Sequence, residues 1–311
     1  STRLQAQTVY ENHRSEIYNY LSRMAQKGLI QFDDHIRPLS RVYIGACLDS
    51  LRQNKNELSS IEKSELNFYL QEFSDQLDTD PAKATEQLKW FKKDANGRFR
   101  MATAIGKDAS LYFDPTITGA QVGGTSKNYT TRSTGLRLWG RAGKRFAFHF
   151  AYQDVMLKGN GYDTTGVLGP ETGYIRKDTT AFNNLNYSQF RGSISYNFKN
   201  GSIVIGQDHL LWGYGENGRT VLSDKAPAFP FIRLDYQLFP WLKFHYTHAW
   251  LNSRMIDSTN SYPSENGGIY GGDRILFVPK YFATHSIQIK AMKGLDISLG
   301  ESIIYLSLIH I

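Results

Sequence analysis

Cysteine is almost missing from this chain: Cys47 is the only one in 311 residues. One thiol can build neither an intrachain disulfide framework nor a cysteine-rich zinc site. Its place among apolar residues at helical spacing reads as a buried core position. Also missing is any run of about 18 apolar residues, so no helix of membrane-spanning length is expected. The mean hydropathy of −0.44 would fit a soluble protein, with one exception. Strands of an outer-membrane barrel alternate apolar-out and polar-in, and so average to a soluble-looking value. Basic residues do not cluster on one element, which excludes a nucleic-acid footprint.

A helix is absent where one dinucleotide fingerprint would need it. Trp212-Gly213-Tyr214-Gly215-Glu216-Asn217-Gly218 has the G-x-G-x-x-G spacing and follows the apolar run SIVIGQDHLL. The last glycine should open a helix facing a pyrophosphate. Pro227 and Pro230 close any helix within about two turns, and FIRLDYQL then alternates as a strand. Asp235 lies about 20 residues on, where a ribose-binding acid belongs, but in the wrong context. The glycines are expected to shape a loop. No cofactor is expected.

What the chain does have is aromatic residues, 14% of the total, including 19 Tyr and 18 Phe. Charge is uneven. Residues 1–100 hold 15 Lys and Arg against 14 Asp and Glu, whereas residues 101–311 hold 21 against 15 and carry nearly all of the net +7. A surface attractive to an acidic polymer follows from that excess.

Two periods divide the chain, predicting a helical domain over 1–100 and a partial transmembrane β-barrel over 101–311. SEIYNYLSRMAQKGLI predicts a helix capped by Ser15, carrying Ile17, Leu21 and Met24, and stopped at Gly28. RPLSRVYIGACLDSLRQ predicts a second, with Pro38 in its first turn and Leu39, Tyr43, Cys47 and Leu51 on one face. LSSIEKSELNFYLQEFSDQL predicts a third, with Ser59 and Glu62 as a capping box and Leu66, Tyr69, Leu70, Phe73 and Leu77 as its stripe.

From about residue 110 the period is two. Phe146, Phe148, Phe150 and Tyr152 share one face of a strand, and Arg145, Ala147, His149, Ala151 and Gln153 the other. The same split recurs in SQFRGSISYNF, FIRLDYQL and WLKFHYTHAW. A soluble sandwich also alternates, but two features favour a barrel. The strands are long, roughly 10–13 residues against a usual 5–6. Connections alternate short (142–144, 199–201, 239–240, around Lys293-Gly294) and long (158–186, 213–229, 253–276), as tight periplasmic turns and outer loops do. The fold class is therefore mainly β: an antiparallel outer-membrane β-barrel preceded by an α-helical bundle. About nine strands are expected, near 110–118, 132–142, 145–157, 187–198, 202–212, 230–239, 241–252, 279–292 and 295–305. A closed bacterial barrel has an even number, so the chain reads as truncated, and YLSLIHI breaks the alternation at its end. STRLQAQ reads as the tail of a removed signal peptide, whose cleavage region favours small residues.

These segments resemble the capsule-assembly Wzi family, particularly its relatives in the Bacteroidota, some associated with gliding motility. IYNYLSRMAQKGLIQFDDHIRPLSRVYIGACL is similar to the family's N-terminal helical region, and IGQDHLLWGYGENGRTVLSDKAPAFPFIRLDY to its most recognisable barrel motif. The resemblance covers about 15–300. It implies an 18-stranded barrel, plugged by a periplasmic helical bundle, in the bacterial outer membrane. The implied role is a monomeric lectin anchoring capsular or extracellular polysaccharide, without catalysis. For the motility-associated relatives it implies surface adhesion machinery with envelope protein partners.

Candidate residues follow. Trp212, Tyr214, Arg219, Asp224 and Lys225 belong to the long loop; aromatic faces pack on sugar C–H surfaces and the charged groups suit hydroxyls or uronic acids. The alternative for them is a shaped loop with its own ion pairs. Arg137, Arg191, Arg233, Lys243 and Lys290 project from the polar face and are expected to line a lumen, pairing with Asp235 or Asp296, or to offer a basic lining to polysaccharide. Trp139 shares that face and is expected to pack on the helical plug. His245 and His248, three apart on a strand, face opposite sides and cannot share a metal ion. Asp235 with Glu216 would make a carboxylate pair for a glycosidase; a barrel enzyme acting on glycan or lipid is the remaining rival.

Overall fold

The computed structural model describes residues 8–73, 87–94, 97–162, 184–215, 218–263, 273–292 and 294–306. Three helices come first: α1 (Ile17–Gln26), α2 (Arg41–Gln53) and α3 (Ser60–Glu72), with the short strand β1 (Ile36–Arg37) between the first two. They are followed by β2 (Gln87–Lys93), β3 (Phe99–Ile105), β4 (Ala109–Gly123), β5 (Asn128–Ala142), β6 (Phe146–Asn160), β7 (Asn184–Phe198) and β8 (Gly201–Asp208). Then come β9 (Leu211–Trp212), β10 (Phe229–Phe239), β11 (Leu242–Ile256), the hairpin β12 (Tyr262–Pro263) with β13 (Asp273–Arg274), β14 (Phe277–Met292) and β15 (Leu295–Leu306).

The helices form for the expected reasons, with local corrections. Gly28 ends α1 at φ +76, a conformation glycine adopts without strain. Ser59 and Glu62 make the reciprocal capping box of α3. Ser15 does not cap α1; Glu16 holds that position without a side-chain bond. Pro38 lies ahead of α2 rather than in its first turn, because Ser40 caps that helix through the Tyr43 amide. The buried face of α2 runs through Ile44, Cys47, Leu48 and Leu51, with Leu39 and Tyr43 only partly covered. These pack with Ile17, Tyr18, Leu21, Met24, Leu66 and Phe73 into one core, each large side chain contributing about 1.5–3 kcal/mol by leaving water. Leu77 lies outside the described residues.

Eleven strands form one antiparallel sheet in the order β2-β3-β4-β5-β6-β7-β8-β10-β11-β14-β15. The chain is thus a mainly β protein. Two strands exceed the expected nine. β2 and β3 begin before residue 100, inside the segment assigned to the helical domain; the short alternation of LKW is cut off by Lys92 and Lys93, too brief to register as a strand. A third correction concerns 202–212. That strand stops at Asp208, and Leu211 and Trp212 leave the sheet to pair with Arg37 and Ile36 of β1. The sheet wraps around the helical region: Arg100 of β3 and Ser298 of β15, near its two edges, both bond to N-terminal residues, Glu72 and His35. Among the described residues β2 and β15 remain unpaired on their outer sides.

Polarity follows the faces, then inverts along the strands. In β6, Ala147, His149 and Ala151 are buried inward while Phe146, Phe148, Phe150 and Tyr152 point outward. Past Gln153 the sense reverses: Asp154 and Lys158 point outward, and Val155 and Leu157 are buried inward. β7 inverts at the same height, since Tyr152 is paired with Phe190, Asp154 with Ser188 and Val155 with Tyr187. Tyr129, Val155, Leu157, Leu185 and Tyr187 close an apolar core beyond that level.

Candidate functional site

The inner face of the sheet and the N-terminal segment share a chain of buried charges. Tyr10 Oη donates to Asp235 Oδ2 at 2.8 Å, Arg233 Nε bonds the same carboxylate at 2.9 Å, and His245 Nδ1 lies 2.6 Å from its other oxygen. Burial, reinforced by that carboxylate, pushes the Tyr10 phenol far above its ordinary value, so it stays a donor. Arg233 also reaches the Pro38 carbonyl at 3.4 Å. Deeper along the plug, Arg41 pairs with Glu11 at 2.5 Å and donates to the Glu72 carbonyl. Arg137 meets Glu11 at 3.4 Å and Glu72 at 3.0 Å, its guanidinium 4.3 Å from the centre of the Trp139 ring. Trp139 packs on the plug as expected, beneath Arg41 and Arg100. Arg191 lies 3.7 Å from Asp208.

Arg137, Arg191, Arg233, Asp235 and Lys243 all face inward. All but Lys243 make ion pairs there, and Lys243 lies 5.5 Å from the centre of the Tyr43 ring. Lys290 stands opposite Asp296 in register at the exposed end of β14. Arg137 is paired with the plug's Glu11 and Glu72, a partnership sequence periodicity does not reveal, whereas Arg191 and Arg233 pair with Asp208 and Asp235 of the sheet.

The long loop is placed differently from expectation. It does not stand over the outer mouth but turns inward, against the helical region. Trp212 is 2% exposed, with backbone bonds in both directions to Leu222 and its ring against those of His35 and His245. No face of it is open to a sugar. Tyr214 Oη donates to Asp33 at 3.1 Å and accepts from Gln288 at 3.2 Å. Arg219 is bound to the Asp34 carboxylate at 2.7 Å and to the carbonyls of Asp34 and Gly213. Burial raises the Asp34 pKa, but Arg219 and Arg37 outweigh it and hold the carboxyl below its ordinary range. Asp224 pairs with Arg14 at 3.4 Å, and the Lys225 amide bonds Ser223. The loop's aromatic and charged groups serve its own docking. Gly213, at φ +98, donates its amide to the His35 carbonyl, and Gly215, at φ +136, sits against the Gly218 carbonyl. The fingerprint glycines are turn glycines.

His245 faces the lumen and His248 the outside, beside Trp250 and Tyr281. No group of three metal-ligating side chains is found among the described residues. Glu216 lies outside them, and the Asp235 carboxylate is engaged by Tyr10, Arg233 and His245.

Sequence reasoning missed His13 and His209. Their ring centroids lie 4.9 Å apart with the planes tilted by 37°, both rings are nearly fully buried, and both nitrogens of His13 lack a hydrogen-bond partner among the described residues. Burial, then repulsion from His209, pushes the His13 pKa far down. His13 falls just before α1, where no periodic signal marks it.

No family model matches this sequence, and no curated protein matches it. Among solved structures, the FrpB iron transporter from Neisseria meningitidis (F3-3 variant) is similar over 64% of this chain, at 11% identity and a TM-score of 0.30. The match covers 32% of the transporter, about a third of its length. A likeness of that size says nothing about chemistry.

Proposed function

We propose that this chain is the internally plugged, membrane-spanning part of an outer-membrane β-barrel that anchors capsular or other exopolysaccharide at the bacterial surface, by binding and without catalysis. The observation that carries the membrane reading is the inversion of polarity along β6 and β7. A lipid-facing apolar band over a polar interior, giving way to polar-out and apolar-in, is what crossing a bilayer boundary demands. The band has the right height. Trp241, stacked on Phe239 at the short-turn end, and Trp250, beside His248, are both about half exposed. Nine residues at about 3.3 Å separate them, roughly 23 Å along the membrane normal after a tilt of ~40°, against an expected band of about 25 Å.

The short turns then lie on the periplasmic side, along with the helical plug's exposed face, and outer-membrane lipid surrounds the sheet. The glycan part is supported by the Wzi-like motifs and by the excess of Lys and Arg beyond residue 100. Its test is deletion of the whole gene in the source organism, with cell-bound and released surface polysaccharide measured. A shift to released polymer at constant total supports anchoring; an unchanged ratio sinks it.

One observation favours the rival, an adhesion or motility component with protein partners. His285 and Glu301 pair at 3.6 Å on the outward face, Glu301 80% exposed, midway up β14 and β15. A carboxylate there suits a protein neighbour better than lipid. Photo-cross-linking from position 301 in cells distinguishes the two.

A further inference from the structure

A cavity of about 310 Å³ opens between the plug and the short-turn ends of β7, β8, β10 and β11. That is the lower end of the ~300–1,000 Å³ range of small-molecule sites. Its polar walls are unevenly satisfied. Both carboxylates are engaged: Asp235 as described, and Asp33 by the Tyr214 hydroxyl, the Gln288 amide and the His35 backbone amide. The two lysines are not. Lys243, over the Tyr43 ring, and Lys199, at the rim, make no ion pair among the described residues. The Asp235–His245 bond uses Nδ1 and fixes the imidazole against the wall. In the strand rows beside it, Thr247 Oγ1 and Ser286 Oγ are buried without partners among the described residues. Tyr10 and Tyr43 of the plug supply aromatic walls.

We propose that this cavity binds a single carboxylated sugar, a uronate unit, with Lys243 as the carboxylate-binding residue. The class follows from the wall chemistry. Two ammonium groups that make no ion pair among the described residues, with Asp296 as a nearby counter-charge to Lys243, favour an anion. Aromatic faces accommodate a ring's C–H surface, and an oriented imidazole offers a polar contact to its hydroxyls. The volume admits one ring rather than a chain. The inference deepens the polysaccharide reading and rests on it for the sugar's source. It places recognition on the short-turn side, in a cavity whose Asp33 and Gln288 are held by Tyr214 of the long loop.

The test is calorimetric titration of the chain in detergent with glucuronate, glucose serving as the neutral control. Binding of glucuronate well ahead of glucose is expected, with Lys243→Met weakening it at least tenfold and Lys243→Arg retaining part of it. A second readout uses the unaltered protein: saturating glucuronate should protect Lys243 from amine acetylation, read by mass spectrometry, while lysines outside the cavity still react. Absence of glucuronate binding, or binding that leaves Lys243 reactive, overturns the proposal. If cells lacking the gene release polymer yet the protein ignores glucuronate, the pocket assignment falls and the anchoring role stands. Protection of Lys243 without any polymer phenotype supports the pocket and removes the anchoring role.

Discussion

Tyr10 and Asp235, 225 residues apart in sequence, are joined by a 2.8 Å hydrogen bond that pins the N-terminal segment to the inner face of β10. Asp235 also holds Arg233 and His245, so its partners are not equal in consequence. Tyr10→Phe removes one neutral donor and should cost about 1–2 kcal/mol. Asp235→Ala strands a buried guanidinium and should cost about 3–5 kcal/mol. Urea unfolding in detergent followed by tryptophan fluorescence checks the order; equal costs would show that the carboxylate does not organise the cluster.

The polarity inversion makes a positional prediction. Ile194 points outward in mid-band, 52% exposed, while Asn186 points outward above the inversion level. Ile194→Arg should destabilise the protein by about 2–4 kcal/mol in a bilayer, and Asn186→Arg by under about 1 kcal/mol. Folding titrations into lipid vesicles read both. Similar values for the two sites would remove the membrane boundary from this part of the sheet.

His13 gives the plug a dependence on pH. Its folded pKa lies below the ordinary 6.5, so the unfolded chain binds the proton more readily. Its contribution is full above about pH 6.5 and is lost as pH falls below that value, by at most about 1.4 kcal/mol per unit. The neutral ring mimic His13→Phe should flatten stability between pH 6.5 and 5 relative to the unaltered protein. A slope unchanged by the substitution would assign acid sensitivity elsewhere.

Gly213 tests the inward loop. A Cβ there would lie 2.0 Å from Thr220 Oγ1 at a φ of +98. Gly213→Ala should therefore cost at least about 1–3 kcal/mol, whereas Gly119→Ala, with open space around it, should be near neutral. Thermal melts of both variants give the comparison, and a harmless Gly213→Ala would mean that the loop is free to re-dock.

Much of the architecture was legible because helices and strands write their period into the chain. The three helices, the three inward arginines Arg137, Arg191 and Arg233, and the separation of His245 from His248 follow from periodicity alone. β2 escaped because its alternation is only a few residues long. The loop set Trp212, Tyr214, Arg219 and Asp224 was found as a group, but its orientation was not, since aromatic and charged side chains suit a sugar and a protein partner equally well.

By itself the sequence determined which face of each strand is apolar, where the tight turns fall and how α3 is capped, all consequences of local sterics and burial. Tertiary structure decided the rest. Arg219 finds Asp34 across 185 positions and Tyr214 finds Asp33 across 181, pairings that exist only once the sheet has curved around the helices. A side chain's type states what it can bind, but the long-range closure of the fold decides whether protein or ligand occupies it.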